Sequence, residues 1–124
     1  MFGFENLEVW QKAVEFAGKV YNITKNFPQI EEFGLKLQLR RAAVSISANI
    51  SEGRGRNSKK EYLHFLNISF GSISEIVTLL VISCNEQYIT NEIYNELYND
   101  LVIISKMLTG LAKSLGFKPI PHKP

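Results

Sequence analysis

The sequence predicts an all-α protein, an antiparallel up-down-up-down four-helix bundle. Four long segments repeat apolar residues at alternating steps of three and four, the spacing of helices that cross at shallow angles. Prolines, glycines and capping residues separate these segments, and the connections are short. No strand pattern competes, because the β-branched stretch at 76–82 lies inside a helical period. We expect one domain over residues 1–117 and a flexible proline-rich tail over 118–124.

The first two segments are bounded by residues that end helices. The first extends from about Leu7 to Asn26 and stops before Pro28. The second begins near Glu31, an acidic position that suits the positive end of a helix dipole, and the glycine-rich run at 53–57 ends it. Their predicted core residues are Val9, Ala13, Phe16, Val20, Ile23, Phe27, Leu35, Leu39, Ala42, Ile46, Asn49 and Gly53.

The last two segments have recognisable caps. Ser58 and Glu61 have the spacing of a capping box, Thr90 is expected to cap the fourth helix, and Gly116 is expected to end it. The predicted core residues are Leu63, Leu66, Phe70, Ile73, Val77, Leu80, Cys84, Leu97, Leu101, Ile104, Leu108, Leu111 and Leu115.

Further apolar residues lie beside these core positions on the first and fourth helices. A broad stripe facing the core and a subunit interface both fit this pattern, and we favour a homo-oligomer because exposed aromatic stripes are unusual on a monomer. The residues are Trp10, Val14, Ala17, Tyr21, Tyr94, Tyr98 and Val102.

Composition limits the class of protein. A chain of 124 residues has the size of one domain, and its single cysteine permits no intrachain disulfide. The amino-terminal stretch MFGFENLEVW lacks the features of a signal peptide. No segment approaches the roughly 18 consecutive apolar residues of a membrane span. We therefore expect a cytoplasmic protein without a membrane partner.

Charge is distributed unevenly along the chain. Residues 36–60 hold seven bases and one acid, a net charge of +6, whereas the remainder carries −4. At about 100° per residue, one side of the second helix presents Lys36, Arg40, Ser47 and Arg54. Ala43 and Ser51 lie close to the same line, so we expect open access along it, and further cations extend this basic face around the turn. Such spacing suits a phosphate backbone, although a solvated face with intramolecular pairs is the alternative. The predicted nucleic-acid contacts are Lys36, Arg40, Arg54, Arg56, Lys59 and Lys60.

Four other residues of the second helix have a structural interpretation. Arg41 points to the opposite flank and is expected to pair with an acid of a neighbouring helix. Asn49 lies among the core positions, where it must be hydrogen-bonded and can fix helix register. Gly53 permits close backbone approach, and Glu52 is expected to pair with Arg56 at i+4.

No catalytic pattern is complete. Glu61 and His64 have the Glu-x-x-His spacing of di-iron proteins, but the only other histidine is His122 in the tail. Cys84 lies among apolar residues with no histidine evidently beside it. The glycines at 53–56 lack the spacing of a phosphate-binding loop. We predict no enzyme, no metal site and no cofactor.

The stretch LRRAAVSISANISEGRGR, preceded by VWQKAVEF and FGL and followed by KEYLHFLNIS, resembles a known family. From about Phe4 to Leu115 the chain resembles the 23S rRNA intervening-sequence proteins. These are small bacterial four-helix bundles encoded within intervening sequences of 23S rRNA genes or alone. The family is similar to the accessory variability protein of diversity-generating retroelements, a basic pentamer that binds nucleic acid and contacts a reverse transcriptase. The resemblance implies a homopentamer with a nucleic-acid or ribonucleoprotein role, and the reverse-transcriptase partner is not carried over.

The leading hypothesis is therefore a small non-enzymatic oligomer that binds RNA or DNA through its basic face. The alternative is a protein-interaction scaffold in which the same face docks an acidic protein partner.

Overall fold

The computed structural model describes residues 1–118 and contains four α-helices. They are α1, Glu8–Thr24; α2, Leu35–Arg54; α3, Lys59–Asn85; and α4, Asn91–Ser114. Short 3₁₀ helices at Gly3–Asn6 and Gln29–Glu31 precede α1 and α2, and residues 1–118 include no strand. The prediction of an all-α four-helix bundle is confirmed. Apart from Lys118, the tail predicted over 118–124 lies outside the described residues.

The helices pack in the order of the sequence, and α1 also packs against α4. On α3, Ser69 contacts Ile46 of α2, and Tyr62 lies near Gly53, so the paired residues follow opposite orders along the two helices. This order is compatible with the predicted antiparallel arrangement. Between α1 and α4, Lys19 Nζ lies 2.9 Å from Asp100 Oδ2. Chain neighbours are thus neighbours in space, as short connections require.

The helix caps follow local rules. The side-chain oxygens of Ser58 and Thr90 each accept a hydrogen bond of 3.1 Å from the backbone N–H three residues later, so both predicted N-caps are confirmed. The reciprocal bond of the predicted capping box, from the Ser58 N–H to the Glu61 side chain, does not occur within residues 1–118. Gly116, with φ of 96°, follows α4 in the left-handed conformation. Gln87 ends α3 in the same conformation, with φ of 64°. The sequence did not indicate this second cap, because glutamine rarely adopts positive φ.

The start of α2 differs from the sequence prediction. The helix begins at Leu35, four residues after the predicted position near Glu31. Glu31 still serves the helix terminus, because its Oε1 accepts a hydrogen bond of 3.0 Å from the Leu35 N–H. The other carboxylate oxygen accepts a 3.2 Å hydrogen bond from the Tyr88 hydroxyl, which ties the α1–α2 connection to the α3–α4 connection.

The core contains most of the predicted core residues, including Phe16, Leu39, Leu66 and Leu97. It also contains Ile76, which the single predicted stripe of α3 left out. The reason is that α3 packs against both α2 and α4, so its buried side is wider than one stripe. Six other buried apolar residues were not among the predicted core residues: Ala43, Ile50, Tyr62, Leu79, Ile89 and Ala112.

Small and polar residues bring α2 and α3 close together. The buried Ser69 hydroxyl donates a 2.9 Å hydrogen bond to the backbone carbonyl of Ile46 on α2. Ser72 donates to the Ser45 hydroxyl at 2.8 Å, and Asn49 Nδ2 donates to the same hydroxyl at 2.9 Å. A side chain on the facing helix can reach a backbone carbonyl only when the helix axes approach closely.

The exposed side of α3 carries little charge. From residue 65 to residue 85 the helix has one charged residue, Glu75, and Ile68 and Ile82 are 39% and 42% exposed. Within residues 1–118, α3 is the helix whose length and composition would allow it to cross a membrane, a test that core helices of soluble proteins also pass.

Candidate nucleic-acid interface

Four of the predicted contact residues gather where α2 ends and α3 begins. Residues 54–60 are all exposed and hold four bases and no acid. The glycine-rich run ends α2, and the Ser58 cap starts α3 directly afterwards, so the connection is short and anchored at both sides. We call this group the basic corner; its members are Arg54, Arg56, Lys59 and Lys60.

Arg56 is held in place by two contacts. Its Nη2 lies 2.8 Å from Glu52 Oε1, which confirms the predicted i,i+4 pair, and its guanidinium carbon lies 4.7 Å from the centre of the Phe65 ring. Both contacts orient the guanidinium along the side of the corner. Glu52 neutralises part of its charge.

Arg54, Lys59 and Lys60 have no carboxylate within 4 Å among residues 1–118. Arg54 packs against the amino-terminal segment, since a Cβ at Gly3 would lie 3.2 Å from Arg54 Nη2. Because Gly3 has no side chain, the guanidinium can lie directly over its backbone.

The structure separates Lys36 and Arg40 from the basic corner. Lys36 pairs with Glu32 at 2.9 Å, and its side chain is only 16% exposed. Arg40 Nε donates to Thr24 Oγ1 at 2.9 Å, and its Nη2 donates to the carbonyl of Tyr21 at 3.2 Å. The same guanidinium lies 4.5 Å from the centre of the Tyr21 ring. These two cations thus have intramolecular partners.

The open line of access that we expected along α2 is also interrupted. Ala43 and Ser47, which lie between Arg40 and Arg54 on this side of the helix, are buried. Neighbouring helices cover the middle of this side of α2. Nucleic-acid contact by any of the six residues stays a prediction.

The residues of α2 with a predicted structural role agree only in part with the structure. Gly53 lies in a close approach, because a Cβ there would be 2.9 Å from Tyr62 Cδ1 and 3.0 Å from Phe65 Cβ. Asn49 is half-buried and hydrogen-bonded to Ser45, and its role in fixing register stays a prediction. Arg41 is exposed, and the ion pair expected for it does not occur within the described part of the chain.

Sequence reasoning missed one residue of this region. Tyr62 is buried beside Gly53, and its hydroxyl has no hydrogen-bond partner among residues 1–118. Burial raises the pKa of this phenol, and the nearby positive charge of Arg54 acts in the opposite direction. Its position one turn after the Ser58 cap could have drawn attention to it, but the sequence contains no sign of an unpaired hydroxyl.

These features define a class: a small four-helix-bundle protein with a group of four exposed cations at the α2–α3 connection. The family model of the 23S rRNA-intervening sequence protein matches residues 5–110, and the chain belongs to this family.

A solved relative has the same fold. The chain is similar to a protein of unknown function from the S23 ribosomal protein family of Bacteroides thetaiotaomicron, known from its crystal structure. The two share 31% sequence identity with a TM-score of 0.76, over 85% of this chain and 98% of that chain. The comparison with curated proteins gave no match.

Proposed function

We propose that the basic corner binds the phosphate backbone of a nucleic acid, with RNA as the first candidate. The observation that carries the proposal is the run of seven exposed residues, 54–60, which includes four cations and no acid. Three of these cations have no carboxylate partner within residues 1–118, so contact with phosphate would break no ion pair of theirs. Release of the counterions around the phosphates would drive such binding.

This site is smaller than the face that the sequence predicted. Lys36 and Arg40 have intramolecular partners, so we assign them to the stability of the bundle and assign binding to the corner. The corner has few aromatic faces to offer, since the Phe65 ring is covered by Arg56. We therefore expect backbone contact with little preference for base sequence.

Fluorescence anisotropy with labelled single-stranded and duplex RNA and DNA tests the proposal. We expect the double variant Lys59→Gln, Lys60→Gln to bind more weakly and its salt slope to fall by about two. The matched control is Lys12→Gln, Lys25→Gln, which removes the same charge from exposed positions elsewhere. Absence of salt-dependent binding by the unmodified protein would refute a nucleic-acid role. If an acidic polypeptide with the same number of negative charges as the RNA displaces it, the alternative function, docking of an acidic protein partner, would be favoured instead.

We further propose that the protein self-associates, with the exposed side of α3 as the interface. Between residues 65 and 85, α3 has one charged residue and exposes Ile68, Val81 and Ile82 among small and polar side chains, and low charge with exposed apolar groups favours contact with another copy. Of the stripes predicted for this role, Trp10 packs against Phe4 and Arg40 lies over the Tyr21 ring. Val14 and Tyr98, in contrast, are 44% and 42% exposed, so α1 and α4 keep exposed apolar residues as well. Light scattering measures the number of copies, which the family resemblance leads us to expect to be five.

A further inference from the structure

Tyr62 carries a polar group that the helix bundle does not explain. The residue is 9% exposed, and its hydroxyl finds no hydrogen-bond partner among residues 1–118. Buried hydroxyls nearly always have partners, because leaving one unpaired is unfavourable, and each exception calls for a reason. A phenylalanine would fill the same space without that disadvantage.

The surroundings of the Tyr62 ring indicate which ligand would satisfy the hydroxyl. The ring lies against Gly53, at the position where a Cβ would be 2.9 Å from Tyr62 Cδ1. The next residue, Arg54, has no carboxylate partner within the described part of the chain. A tyrosine hydroxyl is protonated at neutral pH and can donate; burial raises the pKa of this one further, and the charge of Arg54 lies near enough to act in the opposite direction. A donor beside an unpaired guanidinium suits an anion with several oxygens.

The amino-terminal segment Met1–Asn6, which we call the strap, covers one side of Arg54. Its Gly3 lies under the guanidinium, where a Cβ would be 3.2 Å from Arg54 Nη2. The strap is held by a ring contact, with centres 5.1 Å apart between Phe4 and Trp10, and by a 2.8 Å hydrogen bond that Gln11 Nε2 donates to the Glu5 carbonyl. Met1 is almost fully exposed, so the end of the strap contributes little to the fold.

We propose that Arg54 and Tyr62 form a subsite for one phosphate group, which opens when the strap moves away from Arg54. The guanidinium donates to one phosphate oxygen and the Tyr62 hydroxyl donates to another. The subsite rests on the proposed function, because the phosphate is then one unit of the bound nucleic-acid backbone. The strap regulates access to it.

The variant Tyr62→Phe tests the subsite, with Tyr88→Phe as its matched control. The Tyr88 hydroxyl donates to Glu31 at 3.2 Å, far from the basic corner in the sequence. For Tyr62→Phe we expect about tenfold weaker binding of single-stranded RNA, because one hydrogen bond to a charged group is lost. We expect its melting temperature to be equal to or higher than that of the unmodified protein, because the unpaired buried hydroxyl is removed. For Tyr88→Phe we expect a lower melting temperature and unchanged RNA affinity.

Two further measurements complete the test. Calorimetry with inorganic tripolyphosphate is expected to detect binding to the unmodified protein and a loss in Tyr62→Phe. Phe4→Ala, which removes the ring contact of the strap with Trp10, is expected to tighten RNA binding in the full chain. No tightening would reject the strap as a regulator.

The outcomes separate the subsite from the proposed function. If Tyr62→Phe binds RNA as the unmodified protein does while Lys59→Gln, Lys60→Gln binds weakly, the subsite is rejected and the basic corner stands. A lower melting temperature of Tyr62→Phe with unchanged RNA affinity would also reject the subsite. That result would mean that the hydroxyl stabilises the fold, through a bonded water molecule, without contacting RNA. Tripolyphosphate binding that depends on Tyr62, without any RNA binding, would support the subsite and reject the nucleic-acid role. Absence of both would reject both.

Discussion

At the scale of single residues, Gly53 decides how closely α2 and α3 approach at the basic corner. A Cβ at this position would lie 2.9 Å from Tyr62 Cδ1, 3.0 Å from Phe65 Cβ and 3.2 Å from the Tyr62 carbonyl oxygen. One of these atoms belongs to the backbone, which cannot turn aside as a side chain can. The sequence predicted a close approach here from the presence of glycine among core positions, and the structure identifies the neighbours.

We expect Gly53→Ala to lower the free energy of unfolding by about 1–2 kcal/mol. Overpacking against Tyr62 costs about 1–3 kcal/mol, and the higher helix propensity of alanine offsets up to ~1 kcal/mol of that. Denaturant titration at a fixed protein concentration measures the change. The control is Gly18→Ala in α1, where no neighbouring atom lies within 4 Å of the new Cβ. There the higher helix propensity of alanine should raise the free energy of unfolding. Stabilisation by both variants would contradict the close packing of α2 on α3.

At the scale of elements, Arg40 connects α2 to the carboxyl-terminal end of α1. Its guanidinium bonds the Thr24 hydroxyl and the Tyr21 carbonyl, where the helix dipole of α1 is negative. The Thr24 hydroxyl donates to the Val20 carbonyl at 2.7 Å and accepts from Arg40, so this buried hydroxyl both donates and accepts a hydrogen bond. A cation that looks like a nucleic-acid contact in the sequence therefore joins two helices.

We expect Arg40→Met to lower the free energy of unfolding by about 1–2 kcal/mol, because it removes two hydrogen bonds from a charged donor. Its RNA affinity should change less than that of the Lys59→Gln, Lys60→Gln variant. Chemical denaturation and anisotropy on the same preparations measure both quantities. Arg41→Met, at the exposed neighbouring position, should change stability by less than ~0.5 kcal/mol. If Arg40→Met abolishes RNA binding while leaving stability unchanged, the original basic face is correct and our reassignment is wrong.

The helices themselves were largely predictable, because their signals are local. Apolar spacing, the Ser58 and Thr90 caps and Gly116 depend on residues within one or two turns. The start of α2 was wrong by four residues, since the Glu31 carboxylate acts from outside the helix. The left-handed Gln87 has no local signal. Each miss concerns the end of a helix, where apolar spacing carries little information.

The site was less predictable than the fold for the same reason. Sequence spacing predicted the Glu52–Arg56 pair at i,i+4, but it grouped six cations into one face although Lys36 and Arg40 have intramolecular partners. It could not reveal that Ser47 is buried or that Tyr62 lacks a hydrogen-bond partner. Accessibility and hydrogen bonding between helices depend on how the helices pack, which the spacing within one helix does not contain.

At the scale of the whole molecule, charge and apolar surface are distributed over different parts. The basic corner lies at one connection between helices, whereas the exposed side of α3 is almost free of charge between residues 65 and 85. The two proposed contacts, with nucleic acid and with other copies of the chain, can therefore occur together.

We expect the double variant Ile68→Lys, Ile82→Lys to have a lower mass by light scattering than the unmodified protein, because two charges would have to be buried at the interface. Its circular dichroism should stay helical. The control is Ile30→Lys, which changes an isoleucine that is 86% exposed on the α1–α2 connection. A monomeric mass for the unmodified protein would contradict self-association, and an unchanged mass for the double variant would place the interface elsewhere.

The contact between Gly3 and Arg54 has a practical consequence for every binding measurement on this protein. Any residues joined ahead of Met1, such as a purification tag or a fused reporter, would emerge beside the basic corner. A histidine tag would add titratable cations to the very surface under test. Binding experiments therefore require protein from which such additions have been cleaved.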